Sequence, residues 1–120
     1  MKNQTLSTRT QGDAAHITID ASLDGFDWSG VDCVITLATS RTAAPLTTFS
    51  SAGGTNGTSI AVYPQPDGRV TVVADAEDTV TRRWPTTTLT LVVSFERANP
   101  AWGPYTMPAF YLPVVPQPYA

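Results

Sequence analysis

The chain is 120 residues long, 42% hydrophobic and only 14% charged, a balance that suits one globular domain and excludes an intrinsically disordered chain. Its formal charge of −3 argues against a nucleic-acid binder, which needs a basic face, and no apolar run approaches the ~18 residues of a membrane span. One cysteine and one histidine exclude an internal disulfide framework and any multi-cysteine zinc site.

Nineteen threonines stand against two glutamates and one lysine. Threonine suits the solvent side of a strand, whereas Glu and Lys normally fill exposed helix faces, so the composition points to an all-β fold. In chain order, Leu6 to Thr10 reads as a short first strand closed by the turn Gln11-Gly12-Asp13. His16 to Asp20 alternates, with Ile17 and Ile19 on one face and His16, Thr18 and Asp20 on the other. Asp24 to Gly30 reads as a loop. Val31, Cys33, Ile35 and Leu37 then recur at period two, the mark of a half-buried strand. Leu46 to Phe49 is a weaker edge strand, followed by a Gly- and Asn-rich loop over Ser50 to Ser59.

Ile60 to Tyr63 is the next strand, stopped by Pro64-Gln65-Pro66-Asp67-Gly68, and Val70 to Ala74 pairs back across that turn. Asp75 to Arg83 is the one segment suited to a helical turn, with Asp75 or Asp78 as its cap. Leu89, Leu91, Val93 and Phe95 give the cleanest alternation in the chain. Thr106 to Leu112 is the last strand. Pro100, Pro104, Pro108 and Pro113 assign it to a sheet edge, since proline cannot donate to a central ladder. Seven or eight short strands at this spacing predict an antiparallel β-sandwich. The domain is placed at residues 1–115, with an extended Pro-rich tail at 116–120.

Candidate chemistry is sparse. Asp24, Asp27 and Asp32 could offer oxygens to calcium, but their spacing matches no EF-hand, and turn aspartates explain them as well. His16 and Cys33 could form a nucleophilic pair only if the strand faces brought them together. Cys33 lies on an apolar face, where a free Cys acts as a small hydrophobe, and His16 lies on a solvent face. Arg82-Arg83-Trp84 reads as a solvated turn with Trp84 closing the sandwich end. Asn3-Gln4-Thr5 and Asn56-Gly57-Thr58 fit the glycosylation pattern, but the N-terminus has no hydrophobic leader and both read as chance. No catalytic residue, cofactor or metal is expected.

The stretch from Trp102 to Pro113 differs, concentrating aromatics, methionine and proline, the residue types that dominate protein–protein interface cores. Trp102, Tyr105, Met107, Tyr111 and Tyr119 are the candidate interface residues. Trp28, Trp84 and Trp102 are alternatively the stacking platforms of a carbohydrate-binding module.

The order of motifs resembles the small immunoglobulin-like domains of tailed bacteriophages, of the type found at the N-terminus of upper baseplate and tail-fibre-adaptor proteins. The resemblance rests on the Gln11-Gly12-Asp13 turn before Ile17-Thr18-Ile19, and on Asp27-Trp28-Ser29-Gly30 before the strand Val31 to Leu37. It continues through the hairpin Asp67-Gly68-Arg69-Val70-Thr71-Val72 and the Glu77-Asp78-Thr79 turn before Thr88 to Phe95. It implies an Ig-like sandwich with no catalytic residues: a virion component that docks on other phage structural proteins, often as a homo-oligomer or within a symmetric assembly. A tail or baseplate position is the leading expectation and a capsid decoration protein on the head is the alternative. The Pro-rich end departs from the family's Thr-Arg finish.

Overall fold

Ile17, Ile19, Cys33, Ile35, Leu37, Leu89, Leu91, Val93 and Phe95 are all buried, as side chains alternating across a sheet require. The computed structural model describes residues 4–117. In chain order its elements are β1 (Gln4–Thr5), β2 (Arg9–Thr10), β3 (Ala15–Ser22), β4 (Asp32–Ala38), β5 (Thr47–Ser50), β6 (Thr58–Gln65) and β7 (Arg69–Ala76). A single helical turn, α1 (Asp78–Thr81), precedes β8 (Thr88–Arg97), β9 (Trp102–Thr106) and β10 (Phe110–Val115). The fold is all-β and sandwich-like. A three-stranded sheet, β3-β7-β6, faces a seven-stranded one in the order β1-β10-β8-β4-β5, with β2 also on β10 and β9 also on β8. One core, drawn from both sheets, lies between them.

The small sheet is antiparallel and in unbroken register, from Ala15 opposite Ala76 to Ser22 opposite Arg69, and from Thr58 opposite Ala76 to Gln65 opposite Arg69. The β6–β7 turn brings Asp67 and Gly68 to positive φ, 64° and 73°. Gly68 is needed twice over there. Its backbone is left-handed, and a Cβ would run into the Leu23 carbonyl. β6 continues through Pro64 and Gln65 where the sequence predicts a stop. The strand lies at the sheet edge, so a missing N–H costs no ladder bond.

In the large sheet β8 is the hub. β4 lies along one side of it, from Asp32 opposite Glu96 to Ala38 opposite Thr90. On the other side β10 covers Thr88 to Leu91 and β9 covers Ser94 to Arg97. The expected strand Thr106 to Leu112 is therefore parts of two strands along the same side of β8, broken at Met107-Pro108-Ala109. Only Met107 N–H, donating to the Val93 carbonyl at 3.0 Å, carries the ladder into the break.

Two expectations about the ends change. The C-terminal strand is not an edge: β10 runs between β8 and the N-terminal strands β1 and β2, which join it in parallel and make the large sheet mixed. The strand also extends through Pro113 to Val115, where the sequence suggests extended chain. Pro113 is tolerated because of register. Thr5 faces Tyr111 and Arg9 faces Val114, so Leu6, Ser7 and Thr8 oppose only Leu112 and Pro113. Val114 N–H points to the Thr87 carbonyl beside β8, so Pro113 would have pointed the other way, into this bulge, where no donor is needed. The same bulge splits the expected first strand, Leu6 to Thr10, into β1 and β2.

The cap of α1 is Glu77, extended at φ −70° and ψ 162°, and not Asp75 or Asp78. Asp75 is held within β7 by His16 across the strand pair. The buried Thr81 hydroxyl donates to the Asp13 carbonyl at 2.7 Å and accepts the Gly12 N–H at 3.1 Å, tying the turn after β2 to α1.

Candidate partner-binding surface

The aromatic C-terminal segment does not form one patch. Trp102 lies against Phe26, ring centroids 4.3 Å apart, and meets Trp28 edge-on at 5.7 Å. Tyr105 stacks on Phe95 at 6.4 Å and adjoins Trp102 at 6.0 Å. Arg97 covers Phe26 at 5.3 Å from its centroid. These rings, with the half-buried Met107, close one end of the home core. Such ring pairs each contribute about 0.5–1.5 kcal/mol beyond the area they bury. Tyr111 faces outward from β10, opposite Thr90, and is half-buried. Tyr119 lies outside the described residues, as do Asn3 of the first glycosylation triplet and residues 118–120 of the tail.

Two of the three sugar-stacking candidates have no free face. Trp28 and Trp84 are each 1% exposed. The Trp28 indole donates to the Gly68 carbonyl at 2.7 Å, and the Trp84 indole donates to Thr47 Oγ1 at 2.9 Å. Trp84 thus closes the sandwich as its sequence context suggests, and Arg82 beside it pairs with Asp78 at 3.5 Å on the surface.

The reactive candidates also separate. Cys33 is buried on β4 of the large sheet, and burial pushes its thiol up to about 12. His16 lies on the exposed face of β3 in the small sheet, its Nδ1 2.5 Å from Asp75 Oδ1. Asp27 accepts both the backbone N–H and the hydroxyl of Ser29, at 3.0 and 2.7 Å. Those two bonds hold its carboxyl below the usual range. Asp32 is opposite Glu96 within the sheet. Among the described residues, no three His, Cys, Asp or Glu side chains come together as a metal would require.

What the geometry does assemble is the outer face of the large sheet. Residues in register share a face, so the outward positions form rows across the strands. One row runs Ser50, Val34, Ser94, Thr106; the next runs Thr48, Thr36, Val92. A third runs Ala38, Thr90, Tyr111, Thr5, of which Ala38 and Thr90 are already buried, and a fourth pairs Thr88 with Pro113. None of these residues carries a charge. The acids begin only at the rim, where Asp32 faces Glu96. Beside that rim a groove of about 570 Å³ opens between β4, β8 and the Ser50–Ala52 turn, with Val34 on its wall. Val34 is 39% exposed.

The small sheet's outer face is the opposite in character. It carries His16, Asp20, Arg69 and Asp75, several of them already hydrogen-bonded: His16 to Asp75, and Asp20 to the Thr71 hydroxyl at 2.8 Å. Low charge and abundant Thr already imply a flat, weakly charged β surface from the sequence, but its residues come from six strands, so their identity follows only from the strand pairing. The signal along the chain is the scarcity of charge at the outward positions of β4 and β8.

Comparison with protein-family models gives no match, and comparison with curated proteins gives none either.

Proposed function

We propose that the chain is a non-enzymatic structural protein of a tailed bacteriophage particle, an immunoglobulin-like sandwich that attaches to other virion proteins at the tail or baseplate. The strand order supports the immunoglobulin-like reading. β3, β7 and β6 take the places of the B, E and D strands, and β10, β8, β4 and β5 those of G, F, C and C′. In this reading the first strand sits parallel to the last, on the larger sheet. Where antibody domains join the B and F strands by a Cys pair, β3 and β8 contribute only apolar side chains to the core, among them Ile17, Ile19, Val93 and Phe95.

The observation that carries the attachment reading is the uncharged outer face of the large sheet. A Thr-, Ser- and Val-lined surface can be buried against a neighbour without stripping water from ionised groups, the step that makes charged surfaces costly to bury. The groove beside Val34 lies at the charged rim of that face, since Asp32, Glu96 and Arg97 also line it. The buried thiol of Cys33, on the opposite sheet from His16, supports a role without covalent chemistry.

The test is quantitative mass spectrometry of heads and tails separated from one preparation of the encoding phage. The reading requires the protein at fixed copy number in tails. Enrichment in heads would replace it with capsid decoration, and absence from both fractions would refute a virion role.

A further inference from the structure

The open edges of the two sheets are not equally protected. On the large sheet β5 is closed by its own loop: Thr55 N–H donates to the Thr48 carbonyl at 2.8 Å, and Thr55 Oγ1 accepts Thr48 N–H at 2.9 Å. On the small sheet, Glu77 N–H donates to the Gly57 carbonyl at 2.9 Å. Antiparallel alternation then turns Ser59, Ala61 and Tyr63 toward β7 and Pro64 toward the open side of β6. A proline there interrupts the donor row and discourages pairing.

β3, the other edge, has no such break. Leu23 N–H donates to the Gly68 carbonyl at 2.8 Å, so Ala21, Ile19 and Ile17 turn their backbone groups toward β7. Asp20, Thr18 and His16 therefore turn theirs outward. The strand is eight residues long and without irregularity. Among the described residues it is covered by the Arg9 guanidinium, which donates to the His16 carbonyl at 3.0 Å.

We propose that β3 pairs with β3 of a second copy, antiparallel and centred on Thr18, joining the two three-stranded sheets into one. In this register every outward-turned residue meets another: Thr18 meets Thr18, and His16 meets Asp20 of the second copy. Charge selects it from the neighbouring registers. Centred on Asp20, the pairing would oppose two carboxylates; centred on Ile19, it would leave Asp20 facing Thr18 and not an imidazole. Centred on Thr18, each Asp20 arrives beside an imidazole, and like-charge contact is avoided. The His16 carbonyl passes from Arg9 to the incoming Asp20 N–H, which leaves the guanidinium beside that same Asp20. The cover of the lone edge becomes a cation in the pair. This pairing goes beyond the virion reading and does not require it.

The test combines sedimentation of the full chain with single-cysteine cross-linking, the buried Cys33 staying out of reaction. The wild type is expected to show a concentration-dependent monomer–dimer equilibrium that Asp20→Lys weakens by about tenfold or more. Thr18→Cys places two thiols at the two-fold axis. It should cross-link at least ~10 times faster than Ser22→Cys, whose mate lies several residues along the strand in this register. Circular dichroism confirms that each variant is folded. A wild type that remains monomeric at the highest soluble concentration, or equal cross-linking from both cysteine variants, overturns the proposal.

Discussion

Trp28 donates its indole N–H to the Gly68 carbonyl at 2.7 Å, and that bond joins the loop leading into β4 of the large sheet to the β6–β7 turn of the small one. The same carbonyl accepts the Leu23 N–H at 2.8 Å. Trp28→Phe therefore removes one of two bonds to an oxygen that keeps the other, and should cost about 1–2 kcal/mol. Trp28→Ala also empties the centre of the Phe26, Phe95 and Trp102 cluster and should cost about 3–5 kcal/mol. Gly68→Ala meets both left-handed strain and the Leu23 carbonyl and should destabilise more than Trp28→Phe does. Urea unfolding of the three variants checks the order.

Much of this arrangement is legible in the sequence. The alternation of Ile17 and Ile19, of Val31 to Leu37, and of Leu89 to Phe95 identifies three strands and their buried faces, because each strand has one wet side and one dry side. Prolines mislead where local chemistry is read without register. Pro113 looks like an edge residue, yet it sits inside the sheet opposite a bulge supplied by Leu6 to Thr8, more than a hundred positions earlier in the chain. The aromatic segment is likewise placed by residues distant in the chain: Trp102 and Tyr105 are half-buried, against Phe26 and Phe95. Composition foretells a weakly charged β surface, but which residues share the outer face of the large sheet is a property of pairing between strands.

Trp84 and Thr47 form a second buried donor–acceptor pair, 2.9 Å apart. Thr47→Val leaves the indole N–H without a partner and should cost about 1–3 kcal/mol, whereas Trp84→Phe in the Thr47→Val background removes the orphaned donor. A double-mutant cycle by denaturant unfolding should give a coupling of at least about 0.5 kcal/mol. Additive effects would mean that the bond contributes nothing.

Cys33 makes a pH prediction. Its thiol is pushed from its ordinary value of 9.0 up to about 12 by burial, so between those values the unfolded chain has lost a proton that the folded one keeps. Stability contributed by the neutral thiol is complete below about pH 9 and declines as pH rises from there toward 12. Cys33→Ala should flatten that decline relative to the wild type. At pH 8 the native thiol should react with an aromatic disulfide reagent far more slowly than the thiol of the urea-unfolded chain. Equal rates would contradict its burial.

The attachment reading is tested most directly by placing a charge on the outer face of the large sheet. Val34, 39% exposed beside the groove, tolerates lysine at a cost of about 0.5 kcal/mol or less to the isolated domain. In phage particles assembled with Val34→Lys, quantitative mass spectrometry should find the protein largely missing while the purified variant unfolds at nearly the wild-type urea concentration. Wild-type copy number in those particles would show that this face does not make the attachment.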